Sequence, residues 1–181
     1  MKLPSFKSKP EAVPSKDTSR PVLTCLYLRV EENGEGWLEA TDSYKAVRIP
    51  VLTEEGDTDG LIPVEALKEA RKQSRTEKRG AVEMAVNGSV VTPNGGQYER
   101  PEGTWPKLPE LWPDETAKFE IGFSARFLWE LAQAFGEDTV RLSFTAGPNG
   151  DPQNLRPIHV TPLRGDVPGA KGLLMPIRLA G

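Results

Sequence analysis

The sequence is poor in the side chains that most often carry chemistry. It has one cysteine, Cys25, and one histidine, His159, in 181 residues. A lone cysteine excludes an internal disulfide, and it reads as a small buried hydrophobe. The local sequence holds no Ser-His-Asp or Cys-His arrangement, no Walker loop and no GxGxxG, so an enzyme is not expected. No apolar run approaches the ~20 residues that cross a bilayer. The N-terminus carries Lys2, Lys7 and Lys9 without the apolar stretch of a signal peptide. Neither sign of charge dominates: 23 basic against 26 acidic residues leave a formal charge of −3. A generally polyanion-binding surface is excluded, and any nucleic-acid contact must come from a local basic stripe. These absences predict a cytoplasmic, non-catalytic protein with no membrane association, no metal and no cofactor.

What the chain does have is punctuation. Glycine and proline number 17 each, which suits many turns and short strands. Residues 1–20, with Pro4, Pro10 and Pro14, read as a flexible N-terminal arm. Residues 22–30 are rich in branched and aromatic side chains and predict a strand. Asn33-Gly34 gives a hairpin signal, and 37–41 runs back. Asp42-Ser43 makes a corner before a strand over 44–49, and 53–60 is an acidic loop. A short strand over 61–63 enters a helix over 64–73, with Val64, Leu67 and Ala70 at helical spacing. A second hairpin, 81–86 and 89–92, turns at Asn87-Gly88. After an irregular segment from 93 to 113 the pattern returns. A strand over 119–123 precedes a helix over 125–135, capped by Ser124 and stopped by Gly136. Strands over 139–144, 157–161 and 173–179 close the chain.

The two halves are alike: a short strand enters a helix, and hairpin strands follow. The expected fold class is α+β, two helices packed on curved antiparallel sheets with an internal pseudo-repeat. One domain is expected over 21–181, with halves 21–113 and 114–181.

Several segments, in order, resemble the bacterial sliding clamp, the beta subunit of DNA polymerase III. They are Arg20-Pro-Val-Leu23, Ala40-Thr41-Asp42, Leu61-Ile-Pro63 before a helix, Thr104-Trp105-Pro106 through Leu111-Trp112-Pro113, Phe119-Glu-Ile-Gly-Phe123, Arg156-Pro157 and Leu174-Met175-Pro176-Ile177-Arg178-Leu179. The resemblance covers roughly residues 20 to 179 and implies a DNA-clamp-like fold. It departs from the family in length. The family chain carries three domains and two chains make a ring, whereas this one has material for about one domain. Ser43-Tyr44-Lys45 stands where the family commonly has Gly-(His/Tyr)-Arg.

The resemblance implies a processivity factor that tethers replication or repair proteins to DNA. Its implied partners are double-stranded DNA, held without sequence readout, and a DNA polymerase or other clamp-binding protein docked by a short linear peptide. A homo-oligomer is implied as well. The positions matching the family's peptide groove are Leu23, Thr41, Ala46, Pro113, Met175, Pro176 and Arg178. The competing reading makes Leu23 and Met175 plain core and Pro176 a strand end. The alternative function is a clamp-like adaptor or regulator that binds clamp partners, or a clamp, without encircling DNA. A DNA-contacting face is expected on the first helix, where Lys68, Arg71, Lys72 and Arg75 fall at i, i+3, i+4 and i+7, and Lys78 and Arg79 extend it. The competing reading is a solvated helix face. The second helix, with Arg126 against Glu130, is a poor DNA-facing element. Asp57 and Asp59 lack the spacing of a calcium loop and read as a solvated turn. The four tryptophans read as packing anchors, Trp112 being the one placed to rim the groove.

Overall fold

A computed structural model describes residues 1–4, 7–31, 33–112, 120–145, 156–164 and 168–177. The chain divides into two compact units, Met1–Trp112 and Pro113–Gly181. Its class is the expected α+β, with one α-helix and antiparallel strands among the described residues of each unit.

In the first unit, β1 (Lys2–Leu3), β2 (Cys25–Val30), β3 (Glu35–Thr41), β4 (Ala46–Leu52), β5 (Gly60–Pro63) and β6 (Val82–Glu83) form one sheet, flanking α1 (Val64–Thr76) in sequence. The sheet order is β5-β2-β3-β4-β1-β6. Alternation sets its faces. Leu26, Leu28, Leu38, Ala40 and Val51 point inward, against Val64, Ala66, Leu67 and Ala70 of α1, and make the main core. The intervening residues point the other way, and the register lines them up across the strands: Tyr27 opposite Glu39, Glu39 opposite Arg48, Thr41 opposite Ala46. Gly34 closes the β2–β3 turn at φ +78°, a conformation glycine adopts without steric cost. A smaller sheet of β7 (Ala85–Val86), β8 (Ser89–Val91) and β9 (Gln97–Glu99) completes the unit.

The N-terminal lead-in departs from the expected arm. β1 pairs with β4 on one side and β6 on the other, and Met1 and Leu3 are buried in the main core. The Met1 ammonium lies 2.5 Å from the Asp57 carboxylate and donates to the Met84 carbonyl at 2.7 Å. Two residues are too short a strand to show periodicity, so pairing and an ion pair anchor what composition reads as loose. The acidic loop is also more than a solvated turn. Asp57 accepts from the Val86 and Glu54 amides, both at 2.9 Å, and Asp59 from the Val30 amide at 2.6 Å. Its carboxylates satisfy backbone donors that the sheets leave unpaired.

In the second unit, α2 (Ala125–Ala134) begins at Ser124, whose hydroxyl accepts from the Phe127 amide at 3.3 Å. It packs on one face of the sheet β10 (Val140–Ser143), β11 (Ile158–Pro162) and β12 (Gly172–Leu174). Phe135, Ile158, Val160 and Leu174 are buried there. The expected strand over 119–123 reduces to a bridge between Gly122 and Ile177, Phe119 lying outside the described residues. β12 ends at Leu174, and Arg178 and Leu179 of the expected closing strand lie outside the described residues. Pro176 has no amide to donate, and pairing resumes only at Ile177, whose N–H reaches the Gly122 carbonyl at 2.7 Å.

Candidate partner-binding pocket and basic helix face

The corner between β3 and β4 is held tightly. The Asp42 carboxylate accepts from the Tyr44 and Lys45 amides, each at 3.0 Å, and pairs with the Lys45 ammonium. That lysine and the two amides hold its carboxyl down to about 2. The Thr41 hydroxyl donates to the Lys45 carbonyl at 2.8 Å and accepts from the Ser43 amide at 3.1 Å. Ser43 sits at φ +80°, where the resembling family has glycine. The result is a rigid corner that leaves Tyr44 96% exposed.

A second wall rises opposite. Trp105 stacks on Tyr27, ring centroids 5.5 Å apart, and its indole N–H donates to Glu39 at 2.9 Å. Glu39 is fully buried and pairs at 3.3 Å with both Arg29 and Arg48. With Cys25, Leu61 and Leu108 buried beside it, Trp105 pins the segment after β9 onto the outer face of the sheet. Gly103 permits the close approach: a Cβ there would lie 2.4 Å from a Val22 methyl. The burial that surrounds Cys25 pushes its thiol up, away from the thiolate a nucleophile needs.

Between the walls lies a mainly apolar cavity of about 300 Å³. Leu23, Thr41 and Ala46, three of the seven groove residues expected from sequence, all line it. So do Tyr44, Pro106, Leu108 and Leu111, which sequence reasoning did not assign. The available signal was the apolar content of an otherwise irregular, proline-rich segment. Leu111 and Trp112 are exposed, 70% and 43% respectively. Met175 and Pro176 belong to the second unit, where they follow β12, Met175 exposed and Pro176 half-buried. Pro113 and Arg178 lie outside the described residues.

The basic helix needs one correction. Arg71 is buried: its guanidinium pairs with Glu11 at 2.6 Å and donates to the Ser8 carbonyl at 2.8 Å. It cannot reach a phosphate. The expected four-residue face was too wide, because Arg71 shares the packed stripe of Val64, Leu67 and Ser74. The exposed stripe is Glu65, Lys68, Lys72 and Arg75. Lys68 lies 3.7 Å from Glu65. Arg79 is held by Glu77 at 2.5 Å and Glu83 at 3.2 Å. Lys78 is exposed just beyond the helix, at φ +54°. On α2, Arg126 pairs with Glu130 at 2.8 Å.

Other candidates gather no chemistry. His159 is exposed in β11, between Ser143 and Leu173 on the neighbouring strands. Among the described residues no group of three His, Cys, Asp or Glu side chains could hold a metal ion, and no helix is long and apolar enough to cross a membrane.

No family model matches the sequence, and no curated protein matches it. Solved structures do. The DNA polymerase sliding clamp of Bacillus subtilis superposes on 92% of this chain and 44% of its own, with a TM-score of 0.65 at 17% identity. The beta subunit of the Streptococcus pyogenes DNA polymerase covers 93% of this chain and 62% of its own, TM-score 0.58, 17% identity. The sliding clamp of Bartonella birtlesii, solved bound to griselimycin, covers 93% and 62%, TM-score 0.57, 14% identity. This chain thus spans between 44% and 62% of the length of these clamps. Over nearly all of its own length, it has the fold of the bacterial DNA polymerase III beta sliding clamps.

Proposed function

We propose that the protein is a non-catalytic relative of the sliding clamp that holds a DNA polymerase or other clamp-binding protein through a short linear peptide. The peptide docks in the cavity at Leu23, Thr41 and Ala46. The observation that carries this reading is the coincidence of two independent lines. Three of the seven positions singled out by resemblance, Leu23, Thr41 and Ala46, line one apolar cavity in a chain with the clamp fold. The cavity has what an anchor needs: a rigid corner, a wall pinned by a buried ion pair, and exposed apolar side chains at its rim. Burying one leucine-sized anchor there would contribute about 1.5–3 kcal/mol. DNA is held without base readout by the exposed Lys68, Lys72, Arg75 and Lys78.

The test is calorimetry with a peptide from a clamp-binding polymerase segment. Ala46→Arg, at an exposed strand end, fills the cavity without touching the core and is expected to weaken binding at least about tenfold, the loss of one ~1.4 kcal/mol contact. Unchanged affinity would remove the cavity from the proposal.

A second reading, a clamp-like adaptor that does not encircle DNA, is favoured by one observation: the cation of α2 is already paired with Glu130. Light scattering with and without duplex DNA separates the two. A closed multimer supports the clamp, and a 19.9 kDa monomer that ignores DNA supports the adaptor.

A further inference from the structure

The sheet of the second unit has a face that α2 leaves uncovered. Residues pointing toward α2 are the core positions Val140, Leu142, Ile158, Val160 and Leu174. The alternate positions point away. The register places Arg141 opposite Thr161, and Ser143 opposite His159, which faces Leu173 in turn. Lys171, one residue before β12, lies beside His159 and Leu173 around a depression of about 510 Å³. Three basic side chains and two hydroxyls thus share one open face, with no carboxylate among the described residues of β10, β11 and β12 or at Lys171. Arg141, His159 and Lys171 are exposed and make no ion pair among the described residues. In α2, by contrast, the cation is cancelled by its neighbour, and Glu130 lies on the helix side of the sheet.

We propose that this outer sheet face binds the phosphodiester backbone of single-stranded nucleic acid. Neighbouring strands are ~4.8 Å apart, so Arg141 on β10 and Lys171 beside β12 are separated by on the order of 10 Å. That spacing, with Thr161 as a donor between them and Ser143 in the adjoining row beside His159, lets the two cations hold nearby phosphates of one strand. The depression at His159 and Leu173 offers a seat for an unstacked base, with an imidazole face to stack on. A duplex has no free base to place there, which selects the single strand. The site shares no residue with the α1 face of Lys68, Lys72 and Arg75.

The experiment uses the full chain carrying Lys68→Ala, Lys72→Ala and Arg75→Ala, which removes the helix face. Fluorescence anisotropy measures its binding to a labelled oligothymidylate of about 20 nucleotides, longer than the ~4–16 such sites occupy, across a salt series. Binding is expected to persist in this background. Adding Arg141→Ala and Lys171→Ala is expected to lower affinity about tenfold and flatten the salt slope by about 1.4, two phosphate contacts at ~0.7 each. His159→Ala should weaken the oligothymidylate but not an abasic strand of the same length. No binding in the helix-face background overturns the proposal. So does an unchanged affinity and slope after the Arg141 and Lys171 substitutions, or equal displacement by a polyglutamate peptide. Duplex bound as tightly as single strand overturns the assigned partner. All three sheet positions are exposed, and matching thermal melts of the variants exclude unfolding as the cause of a loss.

Discussion

Glu39 holds the pocket together from beneath, and replacing it tests the architecture directly. Its carboxylate is fully buried, accepts from the Trp105 indole at 2.9 Å, and pairs with Arg29 and Arg48. Glu39→Ala removes all three partners at once. Stripping one member from a buried ion pair costs about 3–5 kcal/mol. Here Arg29 and Arg48 keep 30% and 17% of their side-chain surface, so water relieves part of that cost. The Trp105 N–H, on a buried residue, adds about 1–3 kcal/mol when left without an acceptor. A loss of about 3 kcal/mol is expected, read as a lower urea midpoint with unchanged slope. Glu39→Gln keeps an acceptor for Trp105 and is expected to lose about half as much. The functional reading follows from geometry. Without its acceptor Trp105 no longer pins Pro106, Leu108 and Leu111 over the sheet, and the cavity loses a wall. Peptide affinity in Glu39→Ala should therefore fall at least about tenfold at a temperature where the chain is still folded, a ~1.4 kcal/mol effect. A Glu39→Ala protein as stable as the parent, binding peptide equally well, would refute the reasoning.

Other outcomes are expected from single features. Asp57→Asn leaves the buried Met1 ammonium without its countercharge and should cost about 3–5 kcal/mol in urea unfolding. The Asp42 carboxyl should titrate by NMR near 2 rather than 3.8. Its folded value is depressed, so its contribution to the corner is present above the unfolded value and is lost as pH falls through 2; Asp42→Asn should abolish that acid step. Ser43→Gly removes an L-residue from φ +80° and should raise stability by about 1 kcal/mol. Arg71→Ala should lower the melting temperature without changing the salt slope of DNA binding, and Lys72→Ala should do the reverse.

Much of the scaffold was legible in the sequence because its signals are local. The branched run before Asn33-Gly34, the spacing of Val64, Leu67 and Ala70, and Ser124 ahead of an apolar helix each act over a few residues. What escaped depends on distant partners. Lys2–Leu3 is a strand only because β4 and β6 flank it. Gln97–Glu99 is short and polar, and becomes a strand by pairing with β8. Glu39 reads as an exposed charge until Trp105, 66 residues later, covers it. Arg71 and Lys72 are adjacent, about 100° apart around the helix axis; Arg71 continues the stripe of Val64 and Leu67, and residues 8–11 supply the partners that let its charge be buried there. Three of the expected groove positions line one cavity, a grouping taken from resemblance, which carries information that periodicity lacks. The wall at Pro106, Leu108 and Leu111 was missed as a lining because its segment has no period to read.

The placement of β1 sets an order of assembly. Lys2 and Leu3 are seated between a strand centred near residue 50 and one at 82–83. A chain leaving the ribosome therefore carries an unpaired first strand until both flanking segments have emerged. Closing a loop of that length costs entropy that no earlier contact offsets. The hairpin of β2 and β3 and the pairing with β4 can form first, and the opening residues dock last. A nascent or truncated product ending before residue 82 would then present β4 as an open edge, a template for another chain. Such fragments are expected to aggregate, although in the folded chain β1 covers that edge.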